Sequence, residues 1–597
     1  MKKGRRILTE QNRTEQNRTE QNRTEQNRTG YPSIDKPWLN FFSDKQINLP
    51  LPEVGLYEFL WQSNKDYLDN CALNYFGKRI TYRKLFSMID ETARAFSAIG
   101  VNEKDIVPIV TVSTVQSIIC FYALNKIGAV ADYINVLSEE DELKRLFEEA
   151  DSNVIVTLDL FANKVINAAN KIGKKTVITF GVELDMPILL KLGYKAKMRG
   201  KLHKIDATEN IIPWKEFIKK SKEENEREYR KNPNEMCLLA HTGGTTGVPK
   251  AVMLNDKAVN AVVAQYIDVS GIERGEVFLN LMIPFVLYGI VTNVHLPLCL
   301  GLESVVIPKF DAKEWKNYFK KYKPNHILAV PSYIIPFLND KNLEKMDISY
   351  FKSAGVGGDG MTAELEVELN SFFKAHNSNA VVLKGFGMTE VCATAIVGFA
   401  YSNRIGSVGI PFPKVNMMIY DREKESELTY KEIGEICIQS PSQMLGYLNN
   451  KKATEDLIWT HSDGSKWIHT GDLGYIDEDG FLFIVGRMKR MILTTKGGIA
   501  YKVFPNMAEE ILESHTSVVQ SCIVGANDGD DQVLRAHIMV SKEDISKNVE
   551  IEKELRKICE GKLPSYSRPT FYCFSDSLPL TAAGKVDYRE LEKRDVN

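Results

Sequence analysis

Short apolar runs of strand length alternate with longer amphipathic stretches through most of this chain. Residues 79–82 form a strand-like piece leading into a stretch where Leu85, Ile89, Ala93 and Phe96 recur on one helical face until Gly100 stops it. An apolar strand over 106–112 and an apolar helix over 115–127 follow, and 151–180 repeats the alternation with strands at 154–156 and 177–179. Residues 304–307, 326–330 and 380–383 read as further buried strands, and a strand over 348–352 precedes a helix over 363–375. Such alternation predicts an α/β fold of parallel sheets covered by helices.

The rhythm changes in several places. Residues 191–234 are rich in Lys and Glu and poor in strand signals, which predicts an exposed helical excursion. Beyond Ser407, short Val/Ile-rich strands with Gly and Asp turns, as at 415–420 and 434–439, predict a smaller β-rich subdomain. Past Gly486, a helix over 507–515, strands at 521–524 and 535–540 and a helix over 549–559 make a compact α+β unit of domain size. The expected organisation is a large N-terminal domain over 31–485 and a small C-terminal lid over 486–597. Ahead of both, residues 9–29 cycle through Thr-Glu-Gln-Asn-Arg, a polar low-complexity tract that predicts a disordered tail over 1–30.

Composition narrows the picture. The 597 residues, 44% hydrophobic and 26% charged, are ordinary for globular protein, and a net charge of −2 invites neither nucleic acid nor anionic membrane over the whole surface. Nine scattered cysteines, an odd number with no Cys-x-x-Cys pair, predict reduced thiols in a cytosol-like compartment. No apolar core follows Met1-Lys2-Lys3, so no secretory signal is expected and the location is read as cytoplasmic. Residues 278–302 lack Asp, Glu, Lys and Arg and are long enough to span a bilayer, but Pro284, Gly289, Asn293, His295 and Pro297 punctuate them. They are expected as buried core, with no transmembrane segment.

Candidate chemistry concentrates in turns after apolar strands. Residues 236–240 run into His241-Thr242-Gly243-Gly244-Thr245-Thr246-Gly247-Val248-Pro249-Lys250. Glycines let backbone N–H groups crowd an anion, and hydroxyls with an ammonium complete a phosphate cradle. It is not a Walker loop, because Val248 and Pro249 separate the last glycine from the lysine. Gly385-Phe386-Gly387-Met388-Thr389-Glu390 should sit at the carboxyl end of a strand, where Phe386 can stack on a base, Thr389 donate to phosphate and Glu390 hold Mg²⁺. Alone, it reads equally as a helix cap. Asp472, within Trp467-Ile468-His469-Thr470-Gly471-Asp472-Leu473-Gly474, is suited to ribose hydroxyls, while 477–480 reads as a β-turn. Arg487 opens the junction to the last domain, and Lys585 lies on the turn Leu580-Thr581-Ala582-Ala583-Gly584-Lys585, alone no more than a solvated lysine.

In order and content these motifs resemble the ANL superfamily of adenylate-forming enzymes, which holds acyl-CoA synthetases, peptide-synthetase adenylation domains and luciferases. The resemblance covers nearly everything after about residue 50, and among its members an acyl-CoA synthetase fits best. It implies ATP-dependent attack of a carboxylate on the α-phosphorus, giving acyl-adenylate and pyrophosphate, then transfer to a thiol, with coenzyme A as co-substrate. It further implies that Thr245 and Glu390 hold Mg²⁺, that Thr242, Gly243, Gly244, Thr245, Thr246, Gly247 and Lys250 hold phosphates, and that Lys585 is the catalytic lysine. Gly357, Gly358, Gly385, Phe386, Gly387 and Thr389 would form the adenine pocket, and Asp472 with Arg487 would grip ribose. Lys489 matches a hinge on which the mobile lid turns, bringing Gly497 and Gly498 to the thiol.

Departures from the family pattern are specific. His241 replaces an aromatic residue, Gly243 a Ser or Thr, Ala251 a glycine and Phe386 a tyrosine; Met507 stands where a Glu is usual, and 283–289 lacks a gate histidine. With no aspartate near 285–291 to grip an amine, an apolar acyl or aromatic acid is expected rather than an amino acid. Alternatives are a stand-alone adenylation enzyme loading an acyl or peptidyl carrier protein, an inactive nucleotide-binding protein, and a dinucleotide-dependent oxidoreductase. The last rests on Gly355-Val356-Gly357-Gly358-Asp359-Gly360, but the next strand ends in Lys384-Gly385 without the acid a ribose needs.

Overall fold

The strand–helix alternation is realised as two large sheets. The computed structural model describes residues 28–173, 175–199, 210–224, 232–242, 249–340, 343, 346–496, 499–529, 531–580 and 586–594. The repeat tract up to residue 27 therefore lies outside the described residues, while Thr29 already donates to the Asp35 carboxylate at 2.8 Å through both its N–H and its hydroxyl.

Among the described residues, one sheet has eight strands in the order Gly446–Tyr447, Ala251–Asn255, Met236–His241, Val130–Ile134, Ile106–Val110, Val154–Leu158, Thr176–Phe180 and Ile211–Pro213. It is parallel from Met236–His241 onward, and its first two strands are antiparallel additions. Val130–Ile134 and Val154–Leu158 are buried at every position, Asp132 being the one charged residue among them. The second sheet has nine strands and is parallel from Val381–Phe386 through Ser353–Val356, His326–Ala329, Val277–Asn280 and Glu303–Val306 to Cys71–Tyr75. The helix Tyr82–Ala98 starts where the Thr81 hydroxyl accepts the Lys84 N–H and buries Leu85, Ile89, Ala93 and Phe96; Gly100, at φ +88°, follows its end.

Two expectations shift. Residues 348–352 form a turn, and the strand is Ser353–Val356: a Cβ on Gly355 would stand 2.0 Å from the Leu328 side chain, and Ser-Ala-Gly-Val carries little apolar signal. The excursion over 191–234 does hold the helices Ile188–Met198 and Trp214–Lys219, yet between them Ile211–Pro213 adds a strand to the sheet edge, too short to register as a pattern. Residues 278–302 enter as a strand and continue as buried helical turns from Leu287 to Leu300, π-helical over Val291–His295. Among the described residues no helix is long and apolar enough to cross a membrane.

After these sheets comes an antiparallel β-rich unit in which Asn416–Asp421, Gly434–Gln439, Lys466–Ile476 and Leu482–Arg487 pair in sequence order. The smaller C-terminal domain has a hairpin, Ile492–Lys496 with Ile499–Val503, and a sheet of Val518–Asp528, Asp531–Val540 and Phe571–Ser575. The helices Pro505–Glu513 and Asn548–Lys562 close over it around Leu512, Ile523, Ile538 and Leu555.

Candidate functional site

The carboxyl ends of three neighbouring parallel strands, His326–Ala329, Ser353–Val356 and Val381–Phe386, open on a cavity of about 140 Å³. Gly357, Gly358, Gly385, Phe386, Gly387 and Thr389 line it from one side, and Tyr266, Val286, Leu287, Tyr288 and Thr292 from the other. This is the strand-end crevice where open α/β sheets take ligands. The backbone comes in closely: a Cβ on Gly387 would meet the Ala393 carbonyl oxygen at 2.2 Å, so no larger residue fits there. No charged side chain is among the described lining residues, and burial holds the Tyr288 hydroxyl protonated, far above the usual phenol range.

Beside the cavity Glu390 sits in the short helix Thr389–Val391, only 6% exposed. Its Oε1 accepts from the Tyr447 hydroxyl at 2.5 Å, and the Lys250 ammonium stands 4.6 Å from the centre of the same tyrosine ring. Burial and the Glu390 carboxylate together push the Tyr447 hydroxyl well above its ordinary range, so it acts as donor. Tyr447 reaches this place because Gly446–Tyr447 pairs with Ala251–Asn255, the strand that follows Lys250. Thr242 and Lys250 close the base of the cradle: the Thr242 N–H donates to the Lys250 carbonyl at 3.0 Å, and the Thr242 hydroxyl accepts the Lys250 N–H at 3.1 Å. Gly243, Gly244, Thr245, Thr246 and Gly247 lie outside the described residues. Tyr447 escaped the sequence reading, since a lone tyrosine after a glycine has no local mark of function.

Two buried ion pairs underlie these loops. At the entrance to the cradle His241 Nε2 is 2.7 Å from Asp132 Oδ1, on the neighbouring parallel strand. Burial alone would pull this imidazole down, but the Asp132 charge and hydrogen bond more than offset it, so the His241 pKa is raised. Below the adenine-type motif, Lys384 and Glu366 meet at 2.7 Å with side chains 6% and 0% exposed, which tethers the strand bearing Gly385 and Phe386 to the helix Ala363–Ala375. The Lys384 ammonium thus stands on the strand where a dinucleotide fold needs an acid.

The motif expected to hold ribose lies on the β-rich unit. Asp472 and Arg487 are directly opposite across an antiparallel pair, Nε to Oδ1 at 2.7 Å, with the carboxylate buried and the guanidinium mostly exposed. Glu435 supports the strand just before Asp472: it takes Arg422 through both oxygens at 2.5 and 2.6 Å, His469 Nδ1 at 2.8 Å and the Gly471 N–H at 3.0 Å. Cys437 Sγ is 3.4 Å from the same His469 nitrogen. With the Arg422 guanidinium on Glu435, this Glu435–Cys437–His469 cluster is a saturated ion-pair network rather than a cation site. Lys489 is exposed in the turn Met488–Arg490, next to Arg490, which bonds Glu509. Gly497, Gly498 and Lys585 lie outside the described residues; around the last, Leu580 and Val586 form a β-bridge and the Asp587 N–H donates to the Pro579 carbonyl at 2.8 Å.

The AMP-binding enzyme family matches residues 60–448, and the AMP-binding enzyme C-terminal domain matches 508–585. The chain belongs to the AMP-binding enzyme family. Among relatives, the long-chain-fatty-acid–CoA ligase of Bacillus subtilis is 30% identical over 93% of this chain and 97% of its own length. The 4-coumarate–CoA ligase 1 of Arabidopsis thaliana is 25% identical over 93% and 95%. In fold the chain is similar to an anthranilate CoA ligase solved with anthranoyl-AMP, with a TM-score of 0.77, 21% identity and coverage of 92% of this chain and 98% of that one. It is similar as well to ATP-bound MatB from Rhodopseudomonas palustris, at a TM-score of 0.76, 20% identity and coverage of 90% and 99%.

An AMP-binding family member of this kind is an AMP-forming acid–thiol ligase. It activates a carboxylic acid with ATP and Mg²⁺ to an acyl-adenylate, releases pyrophosphate and passes the acyl group to coenzyme A. The oxidoreductase reading falls, as does that of an inactive nucleotide binder.

Proposed function

We propose that the acid this ligase activates is apolar, an alkyl or aryl carboxylic acid, and that its hydrocarbon part enters the cavity between Tyr266, Tyr288 and Leu328. The observation that carries this is the lining itself, which among the described residues offers no charged side chain to an ammonium or a second carboxylate. A charged substituent would be desolvated there without a partner, at a cost of several kcal/mol. Apolar carbons would instead gain about 0.8 kcal/mol for each methylene buried.

The residue roles in this proposal follow the site. The carboxylate oxygen attacks the α-phosphorus, pyrophosphate leaves, and a thiolate sulfur then attacks the acyl carbonyl carbon with AMP departing. Glycines 357, 358, 385 and 387 admit the nucleotide base against the Phe386 ring, and Thr389 donates to a phosphate oxygen. The cradle from Thr242 through Gly243, Gly244, Thr245, Thr246 and Gly247 to Lys250 holds the β- and γ-phosphates. Asp472 accepts from the ribose hydroxyls, with Arg487 beside it. Lys585 neutralises the charge that grows between carboxylate and α-phosphate. Glu390 suits Mg²⁺, since it is a hard oxygen donor, nearly buried and aligned by Tyr447. With Thr245 it would hold the ion, which supplies charge neutralisation on the phosphates. Lys489 would serve as the hinge that exchanges Lys585 for the Gly497-Gly498 loop between half-reactions.

The test is an acid-by-acid screen of pyrophosphate exchange and thioester formation with coenzyme A, spanning short to long alkyl acids, benzoate-type and cinnamate-type acids, amino acids and dicarboxylates. Apolar acids are expected to turn over at least about tenfold faster than charged ones, the equivalent of about 1.4 kcal/mol. Preference for an amino acid or a dicarboxylate would remove the proposal.

A further inference from the structure

The helix Ile188–Met198 buries none of its residues. Lys191, Tyr194 and Met198 are only partly exposed and share the face turned to the protein. Its moorings are slight: the Lys191 ammonium donates to the Leu184 carbonyl at 3.1 Å, Tyr194 packs on the margin of the main core, and Lys195 stands 3.7 Å from Glu183. With about 3.6 residues per turn, the opposite face presents Leu189, Leu192 and Ala196 to solvent. Leu189 is 84% exposed, Ile188 77% and Leu192 61%. Isolated exposed leucines are ordinary, but a run of adjacent ones on one helix marks a surface that meets something apolar.

Charge says what that something is. Lys195 and Arg199 flank the leucine face on one side and Lys197 on the other. From Pro187 through Ile205 the sequence holds Lys191, Lys195, Lys197, Arg199, Lys201 and Lys204 and no Asp or Glu, in a chain whose net charge is −2. A protein groove receiving the leucines would have no need of a cationic fringe on both flanks. An apolar layer bordered by anionic headgroups complements both features at once. With 11 residues the helix is too short to span a bilayer and suits one lying in its interface.

We propose that the helix Ile188–Met198 docks this enzyme on anionic lipid bilayers, inserting Ile188, Leu189 and Leu192 below the headgroups while Lys195, Lys197 and Arg199 pair with lipid phosphates. The surface works independently of which acid is activated.

The experiment is co-sedimentation of the full chain, without substrate, on phosphatidylcholine vesicles and on vesicles with about one-third phosphatidylglycerol, at low and high salt. Partitioning onto the anionic vesicles is expected to exceed that onto phosphatidylcholine by at least about tenfold and to fall with salt. Leu189→Glu/Leu192→Glu and Lys195→Glu/Lys197→Glu should each lower it at least about tenfold, while pyrophosphate exchange with a water-soluble acid stays at the parent's level in both. No binding by the parent chain, equal binding to both vesicle types, or binding untouched by either double variant overturns the proposal. So does self-association in the absence of lipid that Leu189→Glu/Leu192→Glu abolishes, which would assign the face to a second copy of the chain.

Discussion

Asp132 has a fully buried carboxylate, and among the described residues its Oδ2 and the Nδ1 of His241 have no hydrogen-bond partner. The pair stands or falls together, because removing one member leaves the other charge buried alone. His241→Phe, the aromatic type the family usually has there, should therefore cost about 3 kcal/mol in urea unfolding at neutral pH, and Asp132→Asn/His241→Phe should regain most of it. A single mutant as stable as the parent would contradict the ion pair. The sign of the pH dependence is fixed as well. A raised histidine pKa contributes stability that is complete below its ordinary value of 6.5 and is lost as pH climbs through the higher folded value. At Tyr447, loss of the hydroxyl in Tyr447→Phe keeps the ring under Lys250 but frees Glu390 from its donor. Pyrophosphate exchange should fall by about tenfold and need more Mg²⁺ for half-saturation, in line with about 1.5–3 kcal/mol for a hydrogen bond to a charged group. An unchanged Mg²⁺ dependence would separate Glu390 from the metal. Neither His241 nor Tyr447 could be assigned from sequence, because each depends on a strand neighbour far away in the chain.

At the scale of elements, the helix Pro505–Glu513 joins the C-terminal domain to its neighbours. It sets Ala508 and Leu512 into the small core, pairs Glu509 with Arg490 and lies against the strand Leu482–Arg487. Its last residue, Glu513, is pushed up to about 7 by burial and by the Glu509 and Glu510 carboxylates, against the opposing N–H bond from Ser521. A carboxyl raised in the folded state binds its proton more tightly there, so stability is complete below the ordinary value of 4.5 and declines as pH rises to about 7. Glu513→Gln keeps an oxygen for Ser521 and should remove that decline, on the order of 2 kcal/mol after allowance for partial exposure. Thermal unfolding followed between acid and neutral pH measures it; parallel curves for parent and variant would rule it out. Helices such as this one and Tyr82–Ala98 could be read from their apolar spacing. The strands Ser353–Val356 and Ile211–Pro213 could not, since one is built of small residues with Gly355 packed under the Leu328 side chain and the other rests on a single sheet edge.

For the whole molecule, the question is how the large and small domains share one reaction. Lys585 and the cradle are far apart in sequence, and each loop is pinned at its base, by the Leu580–Val586 bridge and by the Thr242–Lys250 bonds. Lys585→Ala should lower acyl-adenylate formation by about 10²–10³ while sparing thioester formation from supplied acyl-AMP, as expected for one lost transition-state contact. Equal loss in both half-reactions would refute the separate role. Lys489→Pro, by stiffening the turn beside Arg490, should impair the thiol step more than pyrophosphate exchange, and an unchanged ratio of the two would exclude a hinge there.

The amino-acid sequence by itself determined the α/β class, the order of the glycine-rich turns and the type of chemistry, because strand alternation, helical spacing and phosphate-cradling turns are local patterns that survive without a partner. Only the tertiary structure decided what surrounds those turns. The Tyr447 donor on Glu390, the Asp132 charge behind His241, the Lys384–Glu366 tether and the uncharged wall of the cavity each join residues from separate strands and helices. Such contacts come from chain crossing and burial, which no run of neighbouring residues can encode on its own.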